Sequence, residues 1–450
     1  MIRCALLFLI ILTCVPAVRA SPPNIVFVLA DDLGYGDLSC FGQKILKTPH
    51  LDRMAAEGMK LTRHYAGSTV CAPSRCVFLT GKHTGHCTVR GNGPGVLTDS
   101  DRTLAHMLQK TGYRTGCVGK WGVGNPPPLN DPALRGFDHF YGYISMWHAH
   151  NFYPEFLILN GKKSALRNVV PGKWKVNDGR GVATKKVDYV PDLVANEALQ
   201  FIEANQKQPF FLYWALNVPH ANNEARDKGM EVPDWYEFAE KDWPEPENGF
   251  AAMLRNIDRD MGRLFAKLKE LNLDENTLVV FTSDNGPHQE GGHKADFFDS
   301  NGPLRGKKRD LYEGGIRSPT IVRWPGHVVA NSQSDHISGF QDWFETFGAI
   351  AGLSVETEDG ISLAPTLLAY ADAQPSHAHL YWEFLEQGGK QAVLKGDWKA
   401  IRLNQTKNPN GPLELYDLSR DPGEMTNVAE SHPDIVKEMA SIMQREHVAQ

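Results

Sequence analysis

Between Asn24 and about Arg323, short apolar runs rich in β-branched residues alternate with longer stretches whose apolar positions recur every three or four residues. The first kind predicts buried strands and the second predicts amphipathic helices. "NIVFVLA" (24–30) reads as a fully buried strand. "TPHLDRMAAEGM" reads as a helix with Thr48 as N-cap, Pro49 in the first turn, and Leu51, Met54 and Ala55 on one face. Ala72 to Thr80 reads as a helix with Pro73 near its start and Gly81 just past its end. "DRTLAHMLQKTG" predicts a helix stopped by Gly112, with the strand "RTGCVG" after it. "PDLVANEALQFIEANQ" leads into a strand at 209–217, and the long "AAMLRNIDRDMGRLFAKLKELN" leads into a strand at 277–283. Such alternation builds an α/β domain around a mostly parallel, mixed sheet sandwiched by helices. From about residue 376 the pattern shifts to short strand-like pieces and a final helix, "PDIVKEMASIMQREH". That predicts a small C-terminal α+β subdomain with an antiparallel sheet. The expected division is 1–20, 21–370 and 371–450.

Candidate chemistry gathers just past the strand ends. Asp31 and Asp32 come after the first strand, Lys120 after the second, Pro219-His220 after the third, and Asp284-Asn285-Gly286 after the fourth. Open α/β sheets bind ligands beyond the carboxyl ends of their strands, so four strand ends deliver these groups to one crevice. Asp31, Asp32, Asp284 and Asn285 offer hard oxygen donors without sulfur or imidazole, which suits Ca²⁺ or Mg²⁺. Adjacent acids repel unless a cation lies between them. Each motif alone would also suit a solvated turn.

Composition narrows the class. The net charge is −6, and the first twenty residues carry Arg3 and Arg19 but no acid, so the rest is more acidic still. A nucleic-acid binder would show a basic excess, so none is expected as a partner. "MIRCALLFLIILTCVPAVRA" has a basic start, a short apolar core and a small-residue site before Ser21, which predicts a cleaved export signal. The protein is expected to be periplasmic or secreted, with no membrane span. Five cysteines then remain: Cys40, Cys71, Cys76, Cys87 and Cys117. An odd number cannot all pair, and the pairing of the other four stays open.

"CAPSRCVFLTG" (71–81) puts Cys71 at the mouth of a helix, where anions are favoured and a thiol pKa is lowered, with Arg75 one turn in. The competing reading is a disulfide from Cys71 to Cys76 or Cys87. Lys120, His220 and Lys308 (in "LRGKKRDLYEGG") add cationic and proton-transferring groups, none diagnostic alone. "YGYISMWHAHNFYP" (141–154) and "DWYEFAEKDWPEPE" (234–247) are dense in aromatic and imidazole side chains. Such rings suit either a sugar or ordinary packing.

Taken together, these motifs resemble the type I sulfatases of the alkaline-phosphatase superfamily, from about Asn24 to the last helix. "CAPSRCVFLTG" matches that family's signature, and "VLADDLGYGD", "TPHLDRMAAEG", "GYRTGCVGKW", "TSDNGPH", "LYEGGIRSP" and "ELYDLSRDPGEMTN" match further blocks in order. The resemblance implies an alkaline-phosphatase-like fold and a sulfuric ester hydrolase acting on a sulfated carbohydrate or aryl sulfate. It implies that a maturation enzyme converts Cys71 to formylglycine. It implies one Ca²⁺ per chain, held by Asp31, Asp32, Asp284, Asn285 and residue 71. Arg75 would fix the site, Lys120 and Lys308 would bind sulfate oxygens, and His220 would protonate the leaving oxygen. Competing functions are a formylglycine phosphodiesterase or phosphonate hydrolase on the same fold, and a non-catalytic binder of sulfated glycans. Many members carry histidine where this chain has Gly122. In an extended segment His148 and His150 would point the same way, so one of them is expected to enter the crevice and contact substrate or take over the proton role.

Overall fold

The structure is a computed structural model, and it describes residues 22–93, 95–123, 131–172 and 178–449. The predicted export signal at 1–20 lies outside the described residues. The strands, in chain order, are β1 Asn24–Ala30, β2 Met59–Leu61, β3 His64–Tyr65, β4 Arg114–Lys120, β5 His139–Tyr143, β6 Phe156–Leu159 and β7 Lys162–Ala165. They continue with β8 Phe210–Ala215, β9 Thr277–Ser283, β10 Thr320–Arg323, β11 Ser332–Ser334 and β12 Ser338–Gly339. The last four are β13 Leu380–Phe384, β14 Lys390–Lys395, β15 Trp398–Leu403 and β16 Leu413–Asp417. The helices that matter are α1 Pro49–Ala56, α2 Cys71–Thr80, α3 Leu104–Gln109, α4 Val190–Ala204 and α5 Glu245–Glu270, then α6 Glu313–Ile316, α7 Asp342–Ile350, α8 Ala364–Leu367 and α9 Pro433–Glu446.

Ten strands form one mixed sheet in the order β11-β2-β10-β9-β1-β8-β4-β5-β6-β7. Its centre, β9-β1-β8-β4-β5, is parallel; β10 runs antiparallel to both β9 and β2, β11 pairs parallel with β2 at one edge, and β5-β6-β7 are antiparallel at the other. Side chains alternate across the pleat, and both faces are covered. Val26 and Val28 pack with residues of α1, α4 and α5, whereas Ile25, Phe27 and Leu29 pack with α2, α3 and α7. That explains why the central strands read as unbroken apolar runs. In-register parallel pairing sets Ala30 opposite Ser283 and Leu29 opposite Ala215, so these strands end at one level.

The predicted helices form, with one difference at α1. Thr48 does not cap it; its hydroxyl bonds Asp52 at 3.2 Å instead. The first-turn amides of His50 and Leu51 donate to Asp258 of α5 at 2.9 Å. A carboxylate from another helix does the capping, which no local signal could announce.

The C-terminal residues form a separate four-stranded antiparallel sheet, β13-β14-β15-β16. One face packs on Tyr65, Val70, Leu311 and Ile316, and the other is covered by Met439, Ile442 and Met443 of α9. Among the described residues, no helix is long and apolar enough to cross a membrane.

Candidate active site

The site lies where the central strands end. Asp31 and Asp32 leave β1, and Asp284 and Asn285 leave β9 beside them. Asp32 takes a left-handed turn (φ 68°), and its amide donates to Asp284 Oδ1 at 3.1 Å. Asn285 Nδ2 donates to Asp32 Oδ1 at 2.7 Å and to the Gly286 carbonyl, leaving the buried Asn285 Oδ1 without a partner. All four residues are fully buried.

Cys71 opens α2, and the helix ends at Gly81 in a left-handed C-cap (φ 70°), as the glycine there requires. One turn in, the buried Arg75 guanidinium donates to Asp284 Oδ2 through Nε (3.0 Å) and Nη2 (2.8 Å). Its Nη1 donates to the Lys120 carbonyl at 2.6 Å. Arg75 therefore ties α2, β4 and the end of β9 together. The Cys71 sulfur lies within 4.8 Å of carboxylate oxygens of Asp31 and Asp284.

Two ammonium groups answer the carboxylates. Lys120 Nζ donates to both Asp31 oxygens at 2.7 and 3.0 Å. Lys308 Nζ donates to Asp32 Oδ2 at 2.7 Å, to His220 Nε2 at 3.1 Å and to Glu290 Oε2 at 3.1 Å. His220 donates from Nδ1 to the Ala221 carbonyl at 2.7 Å, so Nε2 is the nitrogen facing the site. Burial and the Lys308 charge push the His220 pKa down to about 3. Burial and the charge of Asp31 push Asp284 up to about 7. Against the same burial, Lys120, His220 and Arg75 hold Asp31 well below the usual carboxylate range. Burial also lifts the Cys71 thiol to about 11. The helix mouth therefore does not create the low-pKa thiolate that the sequence suggested, because desolvation outweighs the helix and the nearby cations.

The donor set suits a hard divalent cation. It comprises three carboxylates, an amide oxygen with no other partner, and no competing soft ligand apart from residue 71. Among the described residues no two cysteines form a disulfide, so Cys71 is not bonded to Cys76 or Cys87 as the competing reading had it.

Asp31, Asp32, Cys71, Arg75, Lys120, His220, Asp284, Asn285 and Lys308 thus converge. His148 does not join them. The segment predicted as extended is a 3₁₀ turn, His148–His150, in which residues two apart point to different sides. The His148 ring packs against Tyr143 (4.9 Å) and Phe156 (4.7 Å), buried, with its pKa pushed down to about 4. His150 instead stacks on His220, with ring centroids 4.8 Å apart and planes at 14°. Two neighbouring acids were missed by the sequence reading. Glu290 sits on Lys308 and on Arg309 (2.6 Å), and Glu224 lies 3.4 Å from His150 Nδ1. "SDNGPHQEGG" held Glu290 only six residues past Asp284, but nothing local marks Glu224.

Comparison with known proteins is consistent along the whole chain. The family model described as Sulfatase matches residues 23–353, and that described as N-sulphoglucosamine sulphohydrolase, C-terminal, matches 306–449. An N-acetylgalactosamine-6-O-sulfatase of Bacteroides thetaiotaomicron is 29% identical, over 95% of this chain and 93% of its own. Arylsulfatase A of Homo sapiens is 32% identical, over 94% of this chain and 87% of its own. The crystal structure of Ps i-CgsB superposes with a TM-score of 0.78 at 28% identity, covering 94% of this chain and 92% of that one. A phosphonate monoester hydrolase of Agrobacterium radiobacter has a TM-score of 0.64 over 95% of this chain and 96% of its own, and at 20% identity it shares the fold alone.

Proposed function

The chain belongs to the sulfatase family of the alkaline-phosphatase superfamily and is a hydrolase of sulfuric esters; from that premise we propose that it desulfates a saccharide, using formylglycine made from Cys71 and one Ca²⁺. The observation that carries the reading is the meeting of residue 71, four oxygen donors and three buried cations at one crevice. Ca²⁺ held by Asp31, Asp32, Asp284, Asn285 and residue 71 would supply a Lewis acid for a sulfate oxygen. A hydrated aldehyde at residue 71 would supply two hydroxyls on one carbon, one to attack sulfur and one to expel sulfate as the aldehyde re-forms.

The remaining work falls to side chains already in place. Arg75, clamped by Asp284 and the Lys120 carbonyl, holds the start of α2 against the carboxylates. Lys120 and Lys308 donate to sulfate oxygens as charge builds on them. His220 presents Nε2 to the departing oxygen, with Lys308 Nζ 3.1 Å behind it as proton neighbour. His150, stacked on His220, flanks the leaving group. Names of the relatives, N-acetylgalactosamine-6-sulfatase and arylsulfatase, motivate the substrate class, and the polar surroundings of His150 favour a saccharide. The same reading makes 21–370 the catalytic domain and 371–450 the small subdomain. It also makes the protein exported, with a formylglycine-forming enzyme as its maturation partner.

Mass analysis of the peptide spanning residue 71, from the native host, is expected to find an aldehyde there. An intact thiol in fully active protein would overturn that part of the reading. Release of sulfate from an aryl sulfate should stop on chelation and return with Ca²⁺. Zn²⁺ restoring activity where Ca²⁺ cannot would contradict the cation assigned. An aryl phosphate diester hydrolysed faster than the aryl sulfate would favour a phosphodiesterase instead.

A further inference from the structure

His150 Nδ1 and Glu224 Oε2 are buried polar atoms with no hydrogen-bond partner, facing each other at 3.4 Å. Apart from that contact with each other, the two groups keep hydrogen-bonding capacity that a ligand could use. Glu224 is followed in the chain by a residue that lines a separate cleft. Ala225, the next residue, lines a trench of about 680 Å³ together with Lys186, Lys228, Glu231 and Trp235. That volume lies within the range of roughly 300–1,000 Å³ usual for small-ligand clefts. The trench is built, because Glu231 is pinned by Lys186 at 2.6 Å and by Asn222 Nδ2 at 2.6 Å. Asn222 also donates to the Gly181 carbonyl at 3.0 Å, which fixes the two loops forming the trench to one another.

The lining is mixed: two lysines (Lys186, Lys228) and three acids (Glu231, Asp234, Glu245) share it with apolar residues and one half-buried indole, Trp235. A sterol or a bare aromatic ring would leave those charges desolvated and unanswered. A sugar would not, because its hydroxyl edges answer carboxylates and ammonium groups while its C–H face lies on an indole. We propose that this trench binds the sugar residue adjoining the sulfated one, with Glu224 and His150 reading hydroxyls at the junction, so that the substrate is an oligosaccharide. The inference rests on the sulfatase reading above and deepens it. Glu224 and Trp235 become specificity-determining residues.

The test compares matched pairs of probes: N-acetylgalactosamine 6-sulfate against a chondroitin 6-sulfate tetrasaccharide, and galactose 4-sulfate against a carrageenan oligosaccharide, with 4-nitrophenyl sulfate as reference. The mature wild-type enzyme is expected to favour an oligosaccharide over its monosaccharide at least tenfold in kcat/KM. Trp235→Ala and Glu224→Gln should each lower kcat/KM for that oligosaccharide at least tenfold more than for the monosaccharide, with melting temperatures measured alongside. The proposal is overturned if no oligosaccharide outruns its monosaccharide, or if the variants lower both members of a pair equally. Sulfate released from 4-nitrophenyl sulfate without any length preference overturns the trench alone. No sulfate released from any probe overturns the sulfatase reading itself.

Discussion

At Gly122, where the family resemblance leads one to expect histidine, the backbone takes φ 68°, and a Cβ there would meet Arg75 Cδ at 3.1 Å and Lys120 Cε at 3.4 Å. The missing imidazole is therefore not a simple vacancy to refill, because the chain here has closed down onto the stems of two site residues. Left-handed backbone favours glycine by about 1 kcal/mol over other residues. Gly122→Ala should lower kcat by roughly ten- to a hundredfold, the cost of small misplacements in a catalytic array, with KM less affected. Unchanged kcat would mean that Arg75 and Lys120 tolerate the shift. Much of the site was legible residue by residue. Asp31, Asp32, Lys120, His220, Asp284 and Asn285 follow recognisable strands, and parallel register delivers strand ends to one level. His150 and Glu224 were not assignable in that way. Their places depend on a 3₁₀ turn and on loops that meet only in the folded chain.

Among the elements, the small bridge between β3 and β12 carries a testable proton. His64 of β3 is fully buried, with Nδ1 on Ser338 Oγ (2.9 Å) and Nε2 accepting from Trp343 Nε1 of α7 (3.0 Å). An imidazole that accepts at Nε2 must be neutral, and burial pushes its pKa down to about 4. The unfolded chain keeps a pKa near 6.5 and binds the proton first as pH falls. Stability conferred by neutral His64 is therefore complete above about pH 6.5 and drains away between there and about pH 4, by roughly 3 kcal/mol in all. Melting temperature against pH across this window should slope upward, and His64→Gln should flatten the slope while lowering the plateau. Equal slopes in both proteins would assign the effect to another group. Elements of this size mark the limit of the sequence pattern. Strands at 24–30 and 277–283 announce themselves because both faces are buried and apolar. The outer strands at 59–61, 162–165 and 332–334 are three or four residues long and at least partly exposed, too short for any period to show.

For the molecule as a whole, the contact between the two sheets turns on one lysine. Lys399 of β15 is fully buried and donates to Glu313 of α6 at 2.9 Å, with Glu424 also at 2.9 Å. Glu313 also accepts from Tyr65 Oη at 2.9 Å and from Arg317 at 3.3 Å. Burial, against the pull of Lys399, pushes Glu424 up to about 7. Lys399→Met would leave buried Glu424 without its cation and Glu313 with Arg317 and Tyr65 alone, and breaking a buried pair in this way costs about 3–5 kcal/mol. The variant should melt at a markedly lower temperature, and adding Glu424→Gln should recover part of the loss; a melting temperature unchanged by Lys399→Met would show that apolar packing alone holds the sheets together. The same enclosure bears on how the protein comes to exist in working form. Cys71 is 2% exposed, and Arg75, one turn on, is clamped by three hydrogen bonds to Asp284 and the Lys120 carbonyl. Under the proposed chemistry a separate enzyme must grip this segment and oxidise its sulfur, which the finished fold does not permit. Maturation becomes a race against folding. Chains that collapse first keep their thiol for life, and in size and shape they would pass for their working siblings. The specific activity of a preparation would then record the order of events in each polypeptide's first moments.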